Sequence, residues 1–131
     1  MNITIQQSNF NQVKPLIGPA FNDGLNISRS DGNVWFTASV DGKVVGVVSC
    51  IVREQQQKAY FKRGFVLKEF RRRRIYNQLF EARMNFIKEN ENIKVVSALC
   101  TTANMDVFLH HGFKVMKKHS QKYTLVELTL K

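Results

Sequence analysis

The spacing of apolar residues changes along this chain, and each change marks an element. Ile3 and Ile5 alternate with polar neighbours, which predicts a short first strand. Ser8 stands where a helix N-cap belongs, and Phe10, Val13, Ile17 and Phe21 then recur at helical spacing. Pro15 and Pro19 interrupt that stretch, so the helix is expected in two parts. Residues 22–33 are polar, carry the turn signals Asp23-Gly24 and Asp31-Gly32-Asn33, and read as a loop. Two β-rich runs, 34–40 and 43–53, flank Asp41-Gly42 and predict a hairpin. Gln55, Gln56 and Gln57 end the second run, and residues 59–67 form the next antiparallel strand.

A basic turn, 69–74, leads into a helix over about 75–90, with Ile75, Leu79 and Phe86 on one side of its apolar face and Tyr76, Phe80 and Ile87 on the other. Residues 94–100 are nearly all apolar and predict a central strand buried on both faces. Residues 102–111 predict a short helix ended by Gly112, and 113–116 with 123–130 a final hairpin. The order is β-α-β-β-β-α-β-α-β-β, an α/β (α+β) arrangement with a mixed sheet and helices packed on it.

Composition narrows the class. The 131 residues are 44% hydrophobic and include ten Phe, enough for one domain, 1–131, with its own core. The first five residues do not form a signal peptide, and no apolar run approaches the roughly 18 residues that span a bilayer. Cys50 and Cys100 lie far apart inside apolar runs, and no cysteine–histidine cluster has metal-binding spacing. Both cysteines read as reduced core residues, with a reactive thiol at Cys100 as the alternative, and this suits a cytoplasmic protein. The net charge is +10, and residues 58–74 alone hold eight cations against Glu69, a local net of +7. Such a field attracts phosphates, nucleic acid or an acidic protein.

Three stretches carry a resemblance. Ala38 to Gly46 reads Ala-x-x-Asp-Gly-x-x-Val-Gly. Val66, Glu69, Phe70, Arg71, Ile75 and Leu79 fall in register with a phosphate-binding strand, turn and helix start. Gly112 and Phe113 close a late helix whose earlier positions are Thr101 and Phe108. Together they cover most of the chain between Trp35 and Phe113, and the chain is identified by them as resembling the GNAT acetyltransferase family. The resemblance implies a mostly antiparallel central sheet flanked by helices. It also implies an N-acetyltransferase that moves an acetyl group directly from acetyl-CoA to an amine. The pyrophosphate is then expected at the helix start, where free N–H groups and partial positive charge favour anions. Cofactor binding is expected at Phe65, Val66, Leu67, Arg71, Arg72, Arg73, Arg74, Ile75, Tyr76, Thr101 and Phe108. An N–H of the strand before the turn would polarise the acetyl carbonyl.

The chain departs from the family pattern at five points, one being Thr101, which falls at the usual Asn. Arg74 stands where the family has Gly, Tyr76 where it has Gly or Ala, and Arg72 where Gly is frequent. Two readings follow: the arginines clasp the phosphates bidentately, or their bulk and charge close the pocket. Phe108 falls at a Tyr that often protonates the leaving thiolate, and phenylalanine has no hydroxyl to do so. Among possible bases, Glu54, Glu69, His110 and His111 are candidates by their proximity in the expected fold, with Glu69 and His110 carried forward. The acceptor is a small-molecule or protein amine, and an acidic partner suits the charge. The competing function is a catalytically inactive scaffold whose arginine face binds nucleic acid or an acidic protein.

Overall fold

A computed structural model of the chain describes residues 2–29 and 32–130. Strand β1 (Ile3–Ser8) is followed by helix α1 (Phe10–Val13), one 3-10 turn over Lys14–Leu16, and helix α2 (Ile17–Asn22). The two-part helix is as expected, with Pro15 in the first turn of the 3-10 segment, where its missing N–H costs nothing. The cap is Asn9, one residue beyond the expected Ser8. Asn9 Oδ1 accepts from the Gln12 N–H (3.2 Å), and Gln12 Oε1 accepts from the Asn9 N–H (2.9 Å). Ser8 stays in the strand, its Oγ 2.6 Å from Thr37 Oγ1. Of the second turn signal, Asp31 lies outside the described residues.

Strands β2 (Asn33–Val40) and β3 (Lys43–Arg53) form the predicted hairpin. Its two turn residues, Asp41 (φ 50°) and Gly42 (φ 83°), are both left-handed, as a two-residue turn between twisted strands requires. Strand β4 (Lys58–Val66), helix α3 (Ile75–Lys88), strand β5 (Val95–Cys100), helix α4 (Met105–His110) and strands β6 (Lys114–Lys118) and β7 (Thr124–Thr129) complete the order. They form one seven-stranded sheet, β1-β2-β3-β4-β5-β7-β6, antiparallel except where β4 meets β5. β1 and β6 are its two edge strands, and β6 is exposed along its whole length.

The helices divide between the two faces. Trp35 packs against Phe10 of α1 on one face, and the next residue, Phe36, packs against Phe86 of α3 on the other, each with ring centroids 5.6 Å apart. α3 buries Ile75, Leu79, Phe80, Met84 and Ile87. Its Phe80 sits at the centre of an aromatic cluster with Phe61, Tyr76, Phe108 and Phe113. β5 departs from the expectation of burial on both faces. Val96, Ala98 and Cys100 are covered on the α3 side, but Leu99 is 44% exposed. On that face Ser97 is still buried, while α1 and its 3-10 turn make their main contacts with β2 and β3 and do not extend to cover Leu99.

Candidate functional site

A break in the sheet organises the site. β4 and β5 pair only from Lys58↔Val95 to Phe61↔Ala98, after which they separate. On its other edge β4 slips against β3 between Val47 and Ser49, and Arg63 takes φ 39° at that bulge. Residues 62–66 therefore keep β3 on one side and have no strand on the β5 side.

Beneath the bulge lies a group the sequence analysis did not single out. Arg83, on the apolar face of α3, is completely buried. Its Nη1 donates to Ser49 O of β3 and to Lys62 O of β4, both at 3.0 Å. Its guanidinium lies 3.9 Å from the Phe61 ring centroid. Nε and Nη2 have no hydrogen-bond partner among the described residues. Among the described residues no carboxylate faces it, and burial pulls its pKa down, opposed by the neighbouring Tyr76 and Cys50. The only available sequence signal was its phase, three residues after Phe80 on the buried stripe.

Two cavities meet at this break. A groove of about 550 Å³ runs over the open face, lined by Lys58, Tyr60, Lys62, Ser97, Leu99 and Glu127. A second cavity, of about 1030 Å³, lies under the basic turn, lined by Val66, Lys68, Arg71, Arg72, Arg74 and Asn77. Gly64, Tyr76, Thr101, Asn104 and Tyr123 border both.

The basic turn presents its charges unevenly. Arg72 (φ 64°) and Arg74 (φ 61°) are both left-handed, the conformation that glycine adopts without strain, at about 1–2 kcal/mol for a residue with a side chain. The same two positions are those where the family pattern has glycine. Arg74 is the N-cap of α3 and makes no side-chain cap, no acid lies in the first turn, and Ile75, Tyr76 and Asn77 line the cavity. Arg71 is tied down: its Nε donates to Val66 O (2.9 Å) and its Nη2 pairs with Asp23. Arg73 stacks over Phe70, 5.6 Å from its centroid, and lines neither cavity; nor does Leu67. Phe65, Val66, Arg71, Arg72, Arg74, Ile75, Tyr76 and Thr101 line the second cavity together. Phe108 is buried against Phe80 and Phe113 and reaches only the groove.

The candidate bases are elsewhere. Glu69 and His110, like Glu54 and His111, line neither cavity. Glu54 accepts from Asn90 Nδ2 at 3.2 Å, and the His111 ring packs 4.5 Å from that of Phe80. Sequence analysis missed the groove's one acid among the described residues, Glu127, because its partners are distant in the chain. Its carboxylate accepts from Ser97 Oγ (2.6 Å) and pairs with Lys58 (3.4 Å). The Ser97 hydroxyl, then Lys58, hold it below the usual carboxylate range, against desolvation. Cys50 and Cys100 are free and buried; burial pushes Cys50 to about 11 and raises Cys100. A raised thiol is the opposite of what a reactive Cys100 needs.

Gly64 leaves the space that Tyr76 fills. A β-carbon there would sit 2.6 Å from Tyr76 Cε1. Gly64→Ala is expected to destabilise the protein by about 1–3 kcal/mol through overpacking, measured by urea unfolding.

The profile of the Acetyltransferase (GNAT) family matches residues 6–113. No curated protein matches the chain in sequence. Solved structures share its fold. One is an acetyltransferase of the GNAT family from Staphylococcus aureus Mu50 (19% identity, TM-score 0.77, covering 99% of this chain and 100% of that one). Another is the PaiA N-acetyltransferase from Thermoplasma acidophilum in complex with coenzyme A (15%, 0.76, 98% and 99%). A third is the ribosomal-protein-S18-alanine N-acetyltransferase from Escherichia coli (10%, 0.78, 96% and 91%). None of these likenesses supports the inactive-scaffold alternative. Among the described residues no helix is long and apolar enough to cross a membrane.

Proposed function

Because the chain belongs to the GNAT acetyltransferase family, we propose that it transfers an acetyl group from acetyl-CoA directly to an amine, as a single domain over residues 1–131. The observation that carries this reading is the meeting of the two cavities at the break in the sheet, beside a strand edge that has no partner among the described residues. The second cavity takes the acyl donor. Arg72, Arg74 and the uncapped N–H groups of Ile75, Tyr76 and Asn77 hold its pyrophosphate. The open edge of residues 62–66 offers backbone groups to its extended arm. When bound, the donor supplies an activated thioester carbonyl.

The groove takes the acceptor. Glu127, held ionised by Ser97 and Lys58, offers a counter-charge to an incoming ammonium. The surrounding Lys58, Lys62 and Lys117 favour an acceptor that also carries acid groups. Attack requires the amine neutral, so the ammonium must lose a proton on the way to the break. A cytoplasmic location accords with two reduced, buried cysteines.

Titration calorimetry with acetyl-CoA at low and moderate salt tests the reading. We expect micromolar binding with a stoichiometry near one, weakening as salt screens the arginines. Absence of binding at both salts would refute it.

A further inference from the structure

The proposed reaction releases a thiolate, and Phe108, where the family pattern places a hydroxyl, has none. Another hydroxyl borders the junction of the cavities. Tyr76 projects from the first turn of α3 against the bulge, where a β-carbon on Gly64 would lie 3.1 Å from its Oη. The ring is held edge-on by Phe80, centroids 6.2 Å apart. Arg83 rests on the same Phe80 ring, its guanidinium 5.2 Å from the centroid, and lines the groove with Tyr76, while its Nε and Nη2 have no hydrogen-bond partner among the described residues.

A buried guanidinium with two unpartnered nitrogens and no carboxylate is costly as it stands. That cost is offset when an anion forms beside it. Tyr76 is the titratable side chain bordering both cavities that lies against Arg83, and a phenolate there is such an anion. We propose that Tyr76 is the proton donor to the departing coenzyme A sulfur, and that Arg83 is the positioning residue that stabilises the resulting phenolate. The inference rests on the acyltransferase reading.

The step balances. The amine nitrogen bonds to the acyl carbon as the C–S bond breaks, and the bonding pair goes to sulfur. The Tyr76 proton passes to sulfur. The surplus proton on nitrogen is lost to water, and the phenolate takes a proton back from solvent. Two groups act on the phenol besides its burial: Arg83, from α3, favours the phenolate, and Cys100, from β5, opposes it. Burial raises the phenol's pKa, so Tyr76 keeps its proton until a base forms next to it.

The test uses the full chain with coenzyme A and its desulfo analogue, compared by calorimetry at about pH 9. There a free thiol is largely thiolate and a tyrosine still protonated, their ordinary pKa values being about 8.5 and about 10. The unaltered protein should prefer coenzyme A over the desulfo analogue by about tenfold, as for one hydrogen bond to a charged group. Tyr76→Phe should remove that preference, whereas Tyr123→Phe, at the other phenol bordering both cavities, should retain it.

For Arg83, ultraviolet phenolate titration, taken as the difference from Tyr76→Phe, should shift further upward in Arg83→Met and stay nearer that of the unaltered protein in Arg83→Lys. If neither ligand binds, both this proposal and the acyltransferase reading fail. If both bind and Tyr76→Phe keeps the preference, or none existed, this proposal alone fails. An unshifted phenol in Arg83→Met would remove Arg83 from it.

Discussion

Phe80→Ala is expected to cost about 3–5 kcal/mol of stability, the range for emptying a large buried aromatic site. Phe80 has no solvent exposure. Its ring meets Phe61 of β4 at 5.6 Å, Phe108 of α4 at 4.9 Å and Phe113 at 6.0 Å, and the Arg83 guanidinium lies 5.2 Å from it. The cavity left behind cannot collapse easily, because its walls come from a strand, two helices and the segment leading into β6. Urea unfolding would read the loss. The same residue also packs against Tyr76 and Phe108, which both line the groove. Any folded Phe80→Ala protein should therefore bind acetyl-CoA more weakly as well. A loss below about 1 kcal/mol would mean that the cluster is not the core of this half of the molecule.

The second large effect separates the two readings of the arginine turn. Replacing Arg72 and Arg74 together by glycine removes two guanidinium groups from the second cavity and two left-handed conformations that glycine adopts without strain. If the side chains clasp phosphates, each contributes about 1.5–3 kcal/mol as a charge-assisted hydrogen bond. Affinity for acetyl-CoA should then fall by roughly a hundredfold or more. Stability should move the other way, rising by about 1 kcal/mol for each residue relieved of the left-handed conformation. Calorimetry and urea unfolding on the same variant measure both. If the arginines instead close the cavity, the variant would bind acetyl-CoA more tightly, and the clasp reading would be overturned.

Most of the fold was legible because it is encoded locally. The Asp41-Gly42 turn, the apolar face of α3 and the glycine after α4 each act within a few residues. The Asn9 cap was one position away from the expected one because Ser8 and Asn9 are both good caps, and the choice fell to the strand partner Thr37. The exposure of Leu99 was not legible, since it depends on how far α1 reaches across the sheet. The basic turn could be read from its register with the family pattern. Arg83 could not be read as more than one cation among many, because its role arises from carbonyls freed by a bulge 21 and 34 residues away in the chain. Glu127 and Ser97 lie 30 residues apart and meet only through the β5–β7 register.

The outer strand has a further consequence for how the molecule behaves among its own copies. β6 ends the sheet with a fully exposed row in which Val115 and Met116 stand among Lys114, Lys117 and Lys118. A free strand edge with apolar residues is a template on which a second chain can continue the ladder. Here two such edges can approach only by bringing three ammonium groups of one copy against three of another. This edge of the sheet is thus guarded by repulsion between like molecules, through the same lysine-rich surface that enlarges the protein's positive field.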